Sequence, residues 1–124
     1  MLEVKGYWKN YIDGAWVDGG AGKIDVINPG TGEKLAEQAL ADATDVDLAV
    51  QAAKRVHATG VLSDMRPVER GRMVQAMGKY LLDHLEEIAT LLSLEQGKPV
   101  WEARAEVTGA ARYFEYYGNQ AETL

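Results

Sequence analysis

The chain contains no cysteine and only two histidines in 124 residues. The lack of cysteine excludes disulfides, thiolate metal sites and cysteine nucleophiles within these residues. His57 and His84 lie on different predicted helices and show neither an H-x-x-x-H nor an H-E-x-x-H spacing. Neither is therefore expected to bind a metal or to act as a base. No serine stands in a G-x-S-x-G context, so we predict no catalytic residue in this chain.

Basic residues are also few, with 13 Lys and Arg against 19 Asp and Glu, which gives a net charge of −6. Nucleic-acid binding depends on a basic face that neutralises phosphates, and this composition does not supply one. No window approaches the roughly 18 apolar residues of a membrane span, and the start MLEVKGYWKN has no apolar signal segment. We expect a soluble protein that binds neither nucleic acid nor membrane. A cysteine-free chain also fits the cytoplasm.

The glycines do not form a phosphate-binding loop. Gly19–Gly22 fails the G-x-G-x-x-G pattern, because the sixth position counted from Gly20 is Asp25. Gly97-Lys98 is followed by Pro99, where a phosphate loop requires Ser or Thr. We therefore predict a flexible link at Gly19–Gly22 and no cofactor-binding residue in the chain.

Two β-hairpins are predicted between residues 11 and 41. Tyr11–Val17 places aromatic and β-branched residues on both sides of Asp13-Gly14, a pair that favours a tight turn. In Ile24–Leu40, β-branched residues precede Asn28-Pro29, which moves the backbone of Asn28 away from the helical region. A lone hairpin is marginal in water, so this strand pair requires a third strand or a covering helix.

Helices are predicted after the strands, over residues 45–59, 67–83, 84–96 and 99–123. By propensity alone, Glu33–Val56 would also suit one long helix. Thr44 followed by Asp47 resembles a capping box, however, and predicts that a helix begins at Asp45. The fold class is therefore α/β, with two amino-terminal hairpins and about four helices.

Apolar residues at helical spacing predict the buried faces. The first helix has a stripe formed by Val46, Ala49, Val50, Ala53 and Val56. A change of phase near Asp83-His84 predicts a bend, and Gly97 predicts a left-handed end to the third helix. The last helix has a face formed by Val100, Ala103, Val107, Ala110, Ala111, Phe114 and Tyr117. Its other aromatic residues lie partly off that face, which predicts two packing partners.

Four short motifs occur in an order and at spacings that carry a family resemblance. They are Asn-Pro-x-Thr-Gly-Glu at Asn28–Glu33, Pro-x-x-Arg at Pro67–Arg70, Glu-x-Gly-Lys-Pro at Glu95–Pro99, and Tyr116-Tyr117. Together with YIDGAWV and the helices between them, they resemble the amino-terminal quarter of the aldehyde dehydrogenase superfamily. The sequence departs from the family pattern at Thr59–Leu62, where relatives often have a tryptophan.

The resemblance implies that residues 1–124 form an incomplete amino-terminal portion of an NAD(P)-binding, Rossmann-like domain. Family members oxidise aldehydes to carboxylic acids with NAD or NADP through a cysteine thioester. The catalytic and oligomerisation domains would then lie beyond Leu124, and this chain alone would be inactive and would bind no cofactor. The partners implied are the rest of the enzyme, an aldehyde and further copies in a dimer or tetramer.

The resemblance also implies one site within the chain. Some relatives hold a monovalent cation near the hairpin through backbone carbonyls and an acid on the long helix. Position by position, these match the carbonyls of Val26 and Ile27 and the carboxylate of Glu106. From the residues alone, Glu106 is expected to be a solvated helix carboxylate or a partner for Arg104 or Arg112.

A different class of function also fits the sequence. The chain would act alone as a non-catalytic helical module, and its uncovered apolar faces would bind a partner or further copies.

Overall fold

The computed structural model describes residues 4, 6–121 and 123, and the chain divides into one unit that ends at Ser63 and another that begins at Asp64. The strands are β1 Tyr7–Trp8, β2 Asn10–Ile12, β3 Ala15–Val17, β4 Lys23–Ile27 and β5 Lys34–Ala39. The helices are α1 Ala43–Ala58, α2 Pro67–Asp83, α3 Leu85–Gln96 and α4 Val100–Gln120. The predicted fold class, α/β with two hairpins before the helices, is confirmed.

The first unit has a three-stranded sheet in the order β1-β5-β4. β4 and β5 are antiparallel, as the sequence predicts for Ile24–Leu40, with Lys23 opposite Ala39. β1 pairs in parallel with β5, with Tyr7 opposite Glu37. This short strand was not predicted, and it supplies the third strand that the hairpin requires.

The second sheet is the hairpin of β2 and β3, in which Asn10 pairs with Val17. Its turn residues Asp13 and Gly14 have φ angles of 52° and 81°. Two positive φ values at the centre of a two-residue loop are typical of a type I′ turn, whose twist matches the strands. The Asp13 carboxylate lies 2.7 Å from the Arg55 guanidinium and ties the turn to α1.

The glycine segment Gly19–Gly22 is a packed turn, so the predicted flexible link is wrong. The N–H of Ala21 donates to the carbonyl of Leu40 at 3.0 Å, and Leu40 donates back to Gly22 at 2.9 Å. A Cβ on Gly19 would lie 2.1 Å from the Leu40 carbonyl oxygen. Glycine is required here because the turn lies directly against another backbone segment.

The start of α1 differs from the prediction. The N-cap is Asp42, whose carboxylate accepts from the N–H groups of Thr44 and Asp45 at 2.8 and 3.0 Å. Asp45 reciprocates by accepting from the N–H of Asp42 at 3.0 Å. The capping box is therefore Asp42 with Asp45, and the prediction of Thr44 with Asp47 was wrong by two residues. An acid can occupy both the N-cap position and the third helical position, because each carboxylate accepts hydrogen bonds from backbone N–H groups.

The predicted apolar stripe of α1 lies on its surface. Val46, Val50 and Val56 are about half exposed, and Ala52 is the residue of α1 that is buried. The helical spacing of the stripe is present, but no described element of the first unit covers it.

In the second unit, α2 and α4 pack through small residues. Gly71 faces Gly118, and Gly78 faces Ala111, so the two helices run antiparallel. A Cβ on Gly71 would lie 2.4 Å from the carbonyl oxygen of Gly118. The sequence pattern did not indicate these glycines, because apolar periodicity depends on side chains and glycine has none.

The core of this unit contains Ala89, Ala103 and Val107, and half-buried leucines and isoleucine surround it. α2 ends at Asp83 and α3 begins at Leu85, so the predicted bend is a break at His84. Gly97 ends α3 with a φ of 74°, which confirms the left-handed cap.

α4 ends at Gln120, earlier than the predicted Thr123. Residue 122 of that predicted range lies outside the described residues. Tyr117, which was expected on the buried face, is 63% exposed, whereas Gly118 is buried. Neighbouring helical positions point about 100° apart, so the approach of Gly118 to α2 directs Tyr117 away from it.

Candidate functional site

The Asn28–Glu33 turn is ordered by its own side chains. The Asn28 carboxamide oxygen accepts from the N–H of Gly30 at 2.9 Å, which forms an Asx turn before Gly32 with its φ of 73°. The N–H of Gly32 donates to the Asn28 carbonyl at 2.8 Å, and Asn28 donates to Glu33 at 2.9 Å. The motif that carries the resemblance therefore encodes a closed turn at the end of β4.

A β-bulge lies at the two residues predicted to supply carbonyl ligands. Val26 pairs with Ala36, but Ile27 pairs with Lys34, so Leu35 is an additional residue in β5. A bulge interrupts the regular ladder and redirects backbone groups. The regular pairing is therefore interrupted opposite Val26 and Ile27, just before the Asn28–Glu33 turn.

Glu106, the predicted acidic ligand, forms an ion pair with Lys98. The Lys98 Nζ lies 2.6 Å from the Glu106 Oε1, and the lysine side chain is only 18% exposed. The Ser93 hydroxyl donates to the Lys98 carbonyl at 2.6 Å and fixes the segment between α3 and α4. Lys98 was not predicted as a partner, because it precedes the start of α4 and no helical spacing relates it to Glu106.

Arg104, one of the alternative partners for Glu106, binds a different acid. Arg104 makes a two-point contact with Glu86, with N–O distances of 2.8 to 3.1 Å. The hydrogen bonds from Arg104 lower the pKa of Glu86, and the same contact raises the pKa of Arg104. The prediction of an Arg104 partner for Glu106 is therefore wrong.

Val26 and Ile27 belong to the first unit, and Glu106 belongs to the second. Among the described residues, no group of three or more His, Cys, Asp or Glu side chains is arranged to hold a metal ion. A site built from backbone carbonyls and one acid is a different type, so its assignment to Val26, Ile27 and Glu106 stays a prediction.

The exposed face of the three-stranded sheet carries a chain of ion pairs. Lys34 Nζ lies 2.8 Å from both Asp25 and Glu37, and these hydrogen bonds raise the pKa of Lys34. Lys34 and Lys23 lower the pKa of Glu37, and Lys23 also lies 4.1 Å from the centre of the Tyr7 ring. Exposed pairs of this kind stabilise weakly and are screened by salt. The cluster is compensated in charge and has no group free to act as an acid or base.

The N-termini of the described helices differ from the usual pyrophosphate-binding pattern. A pyrophosphate binds where backbone N–H groups and the positive end of a helix are free of other anions. Here every described helix has an acid in its first turn, namely Asp45, Glu69, Glu86 with Glu87, and Glu102. No glycine-rich loop leads into any of these described helices, so their N-termini lack the usual phosphate-binding pattern.

The described surface has shallow grooves, and two of them involve residues named above. One of about 540 Å³ lies between α2 and α4, where the Gln75 carboxamide donates to Asn119 at 2.8 Å across the groove. The other, of about 450 Å³, lies between the Asp13-Gly14 turn and α1. His57 lines the second groove, whereas His84 stacks on Tyr80 at 4.2 Å between the ring centres.

The family model of the aldehyde dehydrogenase family matches residues 16–124. The chain belongs to the aldehyde dehydrogenase family. Malonate-semialdehyde dehydrogenase 1 of Oceanobacillus iheyensis is 43% identical over 102 residues, which are 82% of this chain and 21% of the relative. The NADP-dependent succinate-semialdehyde dehydrogenase of Saccharomyces cerevisiae is 34% identical over 114 residues, which are 92% of this chain and 22% of the relative.

A solved structure of an aldehyde dehydrogenase also resembles this chain. The NAD-dependent aldehyde dehydrogenase of Sinorhizobium meliloti superposes with a TM-score of 0.90 at 35% identity and covers 98% of this chain and 25% of its own. The chain thus spans about a fifth to a quarter of the length of these relatives. No described helix is long and apolar enough to span a membrane.

Proposed function

We propose that this chain is the amino-terminal part of an NAD(P)-dependent aldehyde dehydrogenase that oxidises an aldehyde to a carboxylic acid. The observation that carries the proposal is the superposition of 98% of the chain on one quarter of an NAD-dependent aldehyde dehydrogenase. The domain assigned to residues 1–124 is the incomplete cofactor-binding domain, and its outer strands and helices support the part that binds the dinucleotide.

The chemistry requires groups that this chain does not contain. The family's reaction would need a thiolate to add to the aldehyde carbon, a bound nicotinamide cofactor to supply hydride-accepting chemistry, and water to release the acid from the thioester. The chain has no cysteine, and its helix N-termini carry acids where a phosphate would bind. We therefore assign catalysis and cofactor binding to further residues of the enzyme.

The exposed apolar faces support the proposal that this chain packs against further parts of a larger enzyme. Val46, Val50 and Val56 form a regular helical stripe that a complete domain would cover. On α4, Trp101 and Tyr113 are 69% and 68% exposed, opposite the face that packs on α2 and α3. Such surfaces are costly in water and mark sites where further protein packs.

The remaining assignments follow from this proposal. The cofactor is NAD or NADP, the substrate is an aldehyde, and the enzyme assembles into a dimer or tetramer in the cytoplasm. We also keep the monovalent cation site at Val26, Ile27 and Glu106 as a hypothesis. The bulge and the closed turn support it, whereas the Lys98 ion pair opposes it by supplying a positive charge to Glu106.

A helical interaction module remains the alternative, because exposed apolar faces suit it equally. The intact mass of the native polypeptide that contains this sequence separates the two. A mass four to five times that of the 124 residues supports the dehydrogenase, since the relatives have about that length. A native polypeptide of 13.6 kDa would contradict it and leave the module.

A further inference from the structure

No further inference is drawn: the strongest candidate, the exposed face of α4 that carries Trp101, Tyr113 and Tyr116 around the open position of Gly109, is an unpartnered apolar surface, and nothing in the structure shows what covers it.

Discussion

The N–H of Gly20 donates to the Asp45 carboxylate at 2.7 Å, which joins the glycine turn to the first turn of α1. The same carboxylate oxygen accepts from the N–H of Asp42 at 3.0 Å. Asp45 thus closes the capping box and anchors a turn 25 residues earlier in the chain. These two backbone hydrogen bonds, from Gly20 and from Asp42, lower the pKa of Asp45 from its ordinary value of 3.8.

This lowered pKa predicts an acid-sensitive contribution to stability. The ionised form is favoured in the folded state, so the contribution is complete above the unfolded pKa near 3.8 and is lost as the pH falls through the lower folded value. Asp45→Asn should therefore destabilise the protein at neutral pH, and its difference from the wild type should shrink below about pH 4. Denaturant unfolding across pH measures this.

Asp47→Asn is the matched control, because Asp47 lies on the same helix and its exposed carboxylate accepts a long hydrogen bond of 3.5 Å from Gln51. It should change stability little at any pH. If the difference in unfolding free energy between Asp45→Asn and the wild type stays constant down to acid pH, the carboxylate charge does not contribute to stability.

The contact of Gly71 with Gly118 predicts strong intolerance to a methyl group. In Gly71→Ala the new Cβ would lie 2.4 Å from a backbone oxygen, so the two helices must separate. The expected cost is about 1–3 kcal/mol in urea unfolding of the 124-residue chain, the range typical of overpacking.

Gly109→Ala is the control on α4, since a Cβ there meets nothing within 4 Å. It should raise stability by about 0.5–1 kcal/mol, because alanine loses less backbone entropy than glycine in a helix. Equal effects of the two substitutions would contradict the close packing of α2 and α4.

The Lys98 ion pair makes the cation hypothesis testable. Lys98→Met removes the ammonium 2.6 Å from Glu106, which leaves the carboxylate available to sodium. If Glu106 is a cation ligand, sodium should stabilise this variant of the full-length enzyme more than the wild type. At a sodium concentration ten times the dissociation constant, the free energy of unfolding would rise by about 1.4 kcal/mol.

Lys79→Met serves as the control, because it removes an exposed ammonium paired with Asp83. It should leave the sodium response unchanged, and Glu106→Gln should abolish the response of Lys98→Met. If all these variants show the same dependence of stability on sodium, Glu106 is not a cation ligand and the Lys98–Glu106 pair has only a structural role.

The uncovered aromatic face of α4 predicts that the isolated 124-residue chain self-associates and binds an apolar dye. Replacing Trp101 and Tyr113 together by Glu should reduce both, because it removes the most exposed aromatic area of the helix. Arg112→Gln changes a neighbouring polar residue and should reduce neither self-association nor dye binding. Sedimentation as a monodisperse monomer, without dye binding, would contradict the prediction.

The sequence predicted those features that a few local residues determine. Asp13-Gly14 selects its turn type, and Gly97 ends α3, because positive φ is a local property of the backbone. The start of α1 was misplaced because several acids in that region can cap a helix. The Gly71–Gly118 contact and the packing of Gly19 on Leu40 depend on residues distant in the chain, which periodicity does not detect.

The candidate site was predictable only in part for the same reason. Asn28 and Gly32 encode a local turn, which the motif indicated. The position of Lys98 beside Glu106 depends on how the segment after Gly97 returns over α4, and no local pattern specifies it. The charged residues of the sheet face likewise pair between β4 and β5. These pairs depend on the register of the two strands, which no local pattern specifies.

Aldehyde-dependent reduction of NAD or NADP tests the proposed role most directly. It should be measured for the full-length polypeptide that contains this sequence and, beside it, for the 124-residue chain alone. We predict turnover by the full-length polypeptide and none by the 124 residues, which have no thiol nucleophile. Turnover by the purified 124-residue chain, or a full-length polypeptide inactive on every aldehyde tested, would contradict the proposal.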